Sequence, residues 1–192
     1  MKESLLFFYN FVRHPKSTGG VFPSSRRLAE KMVDGAGLET AASVVELGPG
    51  TGAFTGAIAE RLEDPGSYLG IELREKFAAI VKDKFPHLLV VNDSAEKIVE
   101  NLREIDREKA DAIISGLPWA TFDSQLQKRI MKSVTAALAP GGKFATFTYL
   151  HACRLPAGKR FRALLEDNFS DVRTSKTVWR NLPPAFVYHC TK

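Results

Sequence analysis

The feature that most constrains this chain is an alternation, sustained from residue 43 onward, of short apolar runs with amphipathic helical stretches. Strands are expected at 43–47 (SVVEL), 67–72 (SYLGIE), 87–91 (HLLVV), 111–115 (DAIIS) and 142–149 (GKFATFTY). Helices fit between them at about 52–62, 75–84, 94–103 and 123–138. Nearly continuous apolar runs suit strands buried on both faces, and an intervening helix supplies the crossover that parallel pairing requires. The class is therefore α/β with a mainly parallel sheet. After a helix near 157–168, two further strands at about 171–180 and 185–190 are separated only by Asn181-Leu182-Pro183-Pro184. So short a link predicts an antiparallel pair at one sheet edge. Ligands of such sheets bind beyond the carboxyl ends of the strands, where the strand order reverses.

Ahead of the alternation, residues 2–14 form a helical pattern with apolar residues at 5, 8, 9 and 12 and further ones at 6, 7 and 11. Pro15 ends it, and Lys16–Pro23 (KSTGGVFP) is a glycine-rich loop. A second helix is expected at about 24–34, capped by Ser24 or Ser25, with Leu28, Ala29, Met32 and Val33 as its apolar face. The expected organisation is an N-terminal unit, 1–34, and an α/β domain, 35–192.

Charge is unevenly placed. The net charge is +5. Residues 1–34 hold six Lys/Arg against three Asp/Glu, residues 154–192 hold eight against three, and the body between holds 13 against 16. Basic flanks on a mildly acidic body suit a polyanionic surface, lipid headgroups or nucleic acid, although ordinary solubilising charge explains them as simply. No apolar run approaches the ~20 residues of a membrane-spanning helix. Leu5–Tyr9 is too short for a signal-peptide core, so a cytoplasmic protein is expected. Cys153 and Cys190 have no metal-ligand or redox spacing and are expected to be free thiols; no metal site is expected.

Chemistry concentrates where the first strand ends, at Glu46-Leu47-Gly48-Pro49-Gly50-Thr51-Gly52. Glycines there permit a sharp strand-to-helix turn and close approach of a ligand to the backbone. Gly48, Gly50 and Ala53 would also satisfy the dinucleotide pattern. Glu46 argues against that reading: a carboxylate beside the loop repels a pyrophosphate and favours a ligand carrying ammonium and sulfonium charges. Glu72 ends the second strand, where a carboxylate can accept both hydroxyls of a ribose. Asp93-Ser94-Ala95 follows the third strand; Asp93 can accept from an adenine amino group, or Asp93 or Ser94 can simply cap the next helix.

Together the glycine loop and these acids resemble the class I S-adenosylmethionine-dependent methyltransferases. The resemblance implies a Rossmann-like sheet of seven strands ordered 3-2-1-4-5-7-6 with strand seven antiparallel, preceded by N-terminal helices. It implies S-adenosyl-L-methionine as cofactor and S-adenosyl-L-homocysteine as product. Implied cofactor contacts are Gly20, Glu46, Gly48, Gly50, Gly52, Glu72, Leu73, Asp93, Ser94, Ala95, Ser115 and Gly116. The fourth strand ends in Ser115-Gly116-Leu117-Pro118-Trp119, which is similar to the acceptor motif of adenine amino methyltransferases, including the ribosomal-RNA adenine dimethyltransferases. Gly116 departs from that motif, because those enzymes place there an Asn or Asp that holds a planar amine. They also carry a C-terminal helical domain for RNA, whereas here the sequence ends at the edge strands.

A second family resembles more of the chain. Phe11-Val12-Arg13-His14-Pro15, Gly19-Gly20-Val21-Phe22-Pro23-Ser24-Ser25 and Ser115-Gly116-Leu117-Pro118 look like the bacterial phospholipid N-methyltransferases, which convert phosphatidylethanolamine to phosphatidylcholine. This implies stepwise methylation of a headgroup amine and peripheral attachment to the inner face of the membrane. Helix 2–14, with Lys2, Arg13 and Lys16 at its ends, is the expected contact with an anionic membrane surface; packing of the same helix on the core is the alternative. Nucleic acid is the less favoured partner, and a non-catalytic cofactor-binding module is disfavoured because the substrate-side loops are intact. An ammonium has no lone pair, so the amine must lose a proton before it attacks the methyl group. Tyr149 and His151 after the fifth strand, with Tyr9 and His14, are the candidate acceptors or positioners. Trp119 is expected either to bind the methylated headgroup by a cation–π contact or to pack in the core.

Overall fold

A computed structural model describes residues 25–192 of the chain. Helix 2–14 and the loop 16–23, with Tyr9, His14 and Gly20, lie outside the described residues.

The sheet has seven strands: β1 Val44–Leu47, β2 Tyr68–Ile71, β3 Leu89–Val91, β4 Ala110–Ser115, β5 Leu138–Tyr149, β6 Asp171–Thr174 and β7 Ala185–Thr191. Their order is β3-β2-β1-β4-β5-β7-β6. The first five strands pair in parallel, and β7 runs antiparallel to both β5 and β6. The expected topology is present in full. The helices are α1 Arg26–Val33, α2 Thr55–Ala59, α3 Glu75–Lys84, α4 Ile98–Arg103, α5 Ser124–Ala137 and α6 Pro156–Asn168.

Strand alternation sorts the core into two layers. Val45, Leu47, Leu69, Ile71 and Ile113 face one side and bury Ile98 and Leu102 of α4, Ile130 and Val134 of α5, and Phe161 and Leu165 of α6. Val44, Tyr68, Val90 and Ile114 face the other and bury Leu28 and Met32 of α1, Ile58 of α2, and Ala78 and Val81 of α3. Ser25 caps α1 by accepting from the Leu28 N–H at 3.3 Å, as expected. Its apolar face, Leu28, Ala29, Met32 and Val33, is buried in the same layer as β1 and β7, so the second helix shares the core of the α/β body.

Three expectations need correction. The strand expected at 171–180 stops at Thr174, because Ser175 takes over the ladder: its N–H donates to Val187 O at 2.8 Å and its hydroxyl accepts from the Val187 N–H at 3.0 Å. The link to β7 therefore spans residues 175–184 rather than four. The helix expected at 52–62 is helical only over Thr55–Ala59, since the glycine loop, with φ of +84° at Gly52, holds the preceding residues in turns. The segment expected as one helix at 94–103 begins as a 3-10 turn over Ala95–Lys97 and continues as α4.

Candidate active site

The loop after β1 is shaped by three glycines in the left-handed region, Gly48 at φ +67°, Gly50 at +60° and Gly52 at +84°. Two are also pinned by neighbours. A Cβ on Gly48 would lie 2.7 Å from Leu117 Cδ2, and one on Gly52 would lie 2.9 Å from the Phe85 ring. Around Gly50 a Cβ would find open space, its nearest neighbour being Gly48 O at 4.0 Å. The loop is thus fixed at its ends and leaves room for a ligand at its middle.

Glu72 braces that middle. Its Oε2 accepts from the Gly50 N–H at 2.9 Å and its Oε1 from the Arg74 N–H at 2.9 Å. Each oxygen keeps a lone pair for a hydroxyl donor. Asn92, a residue the sequence reading missed, ties β2 to β3 here by donating to Glu72 O at 2.8 Å and Leu73 O at 3.0 Å. Leu73 itself stands 71% exposed at the end of β2, an apolar surface beside the carboxylate.

Asp93 is held in one orientation. Its Oδ1 accepts from the Ser94 N–H at 2.8 Å and pairs with Lys97 at 3.1 Å, while Oδ2 accepts from Asn101 Nδ2 at 3.1 Å. The Ser94 N–H foremost, with Lys97 and Asn101, holds its carboxyl below the usual range against the opposing effect of burial, so it is ionised. Ser94 caps the following 3-10 turn by accepting from the Glu96 N–H at 3.2 Å, with Ala95 half-buried behind it. The capping role expected of Ser94 is present.

Glu46 lies elsewhere than expected. It is 0% exposed, on the sheet face covered by α2, and its Oε2 accepts from Thr55 Oγ1 at 2.8 Å and from Tyr68 Oη at 2.5 Å. Its Oε1 has no partner among the described residues. Burial pushes its carboxyl up to about 7, opposed by the Tyr68 and Thr55 hydrogen bonds and reinforced by the charge of Glu72. The acid therefore sits beneath the loop, not on its surface.

The end of β4 corrects two further expectations. Ser115 is fully buried, and its Oγ accepts from Trp119 Nε1 at 3.0 Å, so its side chain faces the core rather than a cofactor. Trp119 is 2% exposed, stacked on Phe161 at 4.7 Å and flanked edge-on by Phe122 and Phe144. With its ring enclosed it has no face for a headgroup; core packing, the other reading, is what the structure has. Gly116 approaches the cofactor loop: its N–H donates to Leu47 O at 2.8 Å, and a Cβ would lie 2.8 Å from Gly48 O. The side chain that the adenine-amine motif needs has no room with this backbone.

At the end of β5, Tyr149 is half-buried and stacks on exposed His151, with ring centroids 5.7 Å apart. Burial pushes the Tyr149 phenol up to about 12, so it keeps its proton at neutral pH. It can hold an amine by hydrogen bonding but cannot act as a phenolate base. The described residues therefore bring Glu72, Leu73, Asp93, Gly116, Tyr149 and His151 to the same end of the sheet, around the glycine loop. Glu46, Ser115 and Trp119 stand behind that surface.

A family model described as a methyltransferase domain matches residues 44–142. An ornithine lipid N-methyltransferase from Singulisphaera acidiphila is 32% identical over 99% of this chain and 96% of its own length. The chain belongs to the S-adenosylmethionine-dependent methyltransferases. Its relation to the ribosomal RNA small subunit methyltransferase A of Alkaliphilus oremlandii is more limited, 30% identity over 66% of this chain and 44% of that protein. Among solved structures, an O-methyltransferase from Bacillus cereus in complex with SAH shares the fold, with a TM-score of 0.67 at 15% identity over 100% of this chain and 92% of that one. The site of this methyltransferase fits the cofactor of its class. The open space at Gly50 and the spare lone pairs of Glu72 are what a nucleoside ligand needs.

Proposed function

We propose that this methyltransferase N-methylates the primary amine of a membrane aminolipid. The observation that carries the reading is the likeness, over nearly the whole of both chains, to a protein named as an ornithine lipid N-methyltransferase. Gly116 supports it physically. With no side chain at that position, nothing grips the edge of a planar aromatic amine, whereas a tetrahedral alkyl amine needs space and a dry approach. Ethanolamine and ornithine headgroups both offer such an amine, so phosphatidylethanolamine, with its mono- and dimethyl products, is one expected acceptor and ornithine lipid the other.

In this reading Glu72 takes the ribose hydroxyls, Asp93 the adenine amino group and Leu73 one face of the base, with backbone N–H groups of Ser94 and Ala95 beside its ring nitrogens. The glycine loop admits the methionine portion. Glu46 acts from beneath, where it accepts from the Thr55 and Tyr68 hydroxyls and so fixes the base of the loop. The cofactor supplies a methyl group on a positively charged sulfur. Tyr149 positions the acceptor amine through its phenol oxygen, and exposed His151 takes the proton that the ammonium must lose. Catalysis is then mainly positioning and water exclusion.

No helix among the described residues is long and apolar enough to cross a membrane. Attachment is accordingly proposed as peripheral, on the inner, anionic leaflet, with helix 2–14 as one contact. The test is to incubate the protein with labelled S-adenosylmethionine and, separately, phosphatidylethanolamine vesicles, ornithine lipid vesicles and ribosomal RNA. Label in either lipid is the expected outcome and ranks the two headgroups. Label in RNA with none in lipid would overturn the reading.

A further inference from the structure

The ten-residue link between β6 and β7 is anchored by hydrogen bonds, yet it turns its largest apolar residues outward. Val178 and Asn181 face inward and are buried. Val178 pairs with Ala185, and its N–H donates to Ala185 O at 2.7 Å. Asn181 Oδ1 accepts from the Ser25 N–H at 3.0 Å and its Nδ2 donates to Pro183 O at 2.7 Å. Beside these anchors, Trp179 is 68% exposed and Leu182 73%. Two large apolar side chains exposed close together on one short link, with cations around them, mark a contact surface.

The surroundings say what kind of contact. A hollow of about 480 Å³ separates the link from α1, lined by Arg27, Lys31, Lys176 and Arg180 and by a single acid, Glu30. The link also lies at the active end of the sheet. Ala185, which follows it, pairs with Tyr149, and Pro184 O accepts from the Leu150 N–H at 2.8 Å. Leu155, in the turn after β5, adds a further exposed apolar side chain at that end. An aromatic and a leucine projecting from a basic rim match the headgroup region of an anionic bilayer, where tryptophan is favoured and cations meet phosphates.

We propose that the 175–184 link is a membrane-docking element in its own right: Trp179 and Leu182 enter the headgroup layer, while Arg27, Lys176 and Arg180 face lipid phosphates. The proposal rests on the aminolipid reading and specifies which face meets the bilayer. Docking there sets the crevice beside Tyr149 against the headgroups, so a lipid amine reaches it without leaving the membrane.

The chain's two tryptophans provide the readout, because Trp119 is buried and Trp179 exposed. Full-length protein is titrated with vesicles of phosphatidylethanolamine and phosphatidylglycerol. Emission is expected to shift to the blue and to be quenched by brominated acyl chains. Trp179→Phe should abolish the shift and Trp119→Phe should retain it. Trp179→Ala should weaken vesicle affinity about tenfold. Lys176→Gln combined with Arg180→Gln should weaken it roughly 30-fold at low salt. Neither change should lower the melting temperature, since these side chains are outside the core. If the wild type floats with vesicles and methylates lipid while these variants bind equally well and no shift occurs, the link is not a docking element and the aminolipid reading survives. If vesicles are neither bound nor methylated, both fall. Trp179 fluorescence that answers to RNA and not to vesicles would assign the face to nucleic acid and overturn the proposal.

Discussion

Replacing Glu46 with Gln tests the electrostatics under the cofactor loop directly. The ordinary value of the carboxyl is 4.5, and burial raises it to about 7 in the folded protein. Between those values the folded protein holds a proton that the unfolded chain has released. Stability contributed by this group therefore falls as pH rises from about 4.5 toward 7 and is flat beyond. At about 1.4 kcal/mol per pH unit, the loss has a ceiling of about 3 kcal/mol, which local relaxation would trim. Glutamine imitates the protonated acid: it keeps an oxygen for the Tyr68 and Thr55 hydroxyls and carries no charge. Urea unfolding of the cofactor-free proteins, followed by circular dichroism across a pH series, reads the difference. Near pH 5 the two proteins should differ little, and by about pH 8.5 Glu46→Gln should be the more stable by one to a few kcal/mol. Other titrating groups cancel in the comparison. A stability difference that stays constant across the series would refute the reasoning.

Four other changes probe the rest of the site. Glu72→Ala should weaken S-adenosylmethionine binding by roughly 1–3 kcal/mol if Glu72 holds the ribose as proposed, and it also releases the Gly50 N–H; calorimetry on the folded variant checks it. Gly116→Ala forces a Cβ to within 2.8 Å of Gly48 O, so cofactor affinity and melting temperature should fall together. Trp119→Phe removes the bond to Ser115 and should cost about 1–2 kcal/mol of stability while leaving the Michaelis constant for the methyl acceptor unchanged; a large rise in that constant would return Trp119 to the substrate site. Phe8→Asp should abolish flotation with vesicles while sparing folding if helix 2–14 is interfacial, and a sharply lowered melting temperature would mean that it is a core element.

The strands of the sheet were legible because they are nearly unbroken apolar runs, such as Val44-Val45 and Ile113-Ile114, separated by helix-length segments, whereas their order came only from the resemblance to the methyltransferases. Glu72 and Asp93 were legible for the same reason as the strands, since each follows within two residues of a strand end. What failed depends on partners distant in sequence. Trp119 reads as a binding aromatic after a proline, and its burial is decided by Phe161 on a later helix. Glu46 lies at the right place in the motif, but its seclusion is set by Tyr68 at the start of the next strand. The early end of β6 follows from one hydroxyl, that of Ser175, substituting for a backbone partner. Neither apolar periodicity nor motif spacing carries such information.

The contact between the two loops at the heart of the site constrains how such a chain can change over generations. Gly48 has no room for a side chain because Leu117 is there, and Gly116 has none because the Gly48 carbonyl is there. The segment that receives the cofactor and the segment that faces the acceptor are therefore one interlocked surface. Substitutions in either are expected to be strongly non-additive with those in the other. A lineage in which position 116 acquired a side chain would first have to move the cofactor loop. New acceptor specificity is thus more readily gained through Tyr149, His151 or the 175–184 link, whose neighbours do not share this lock.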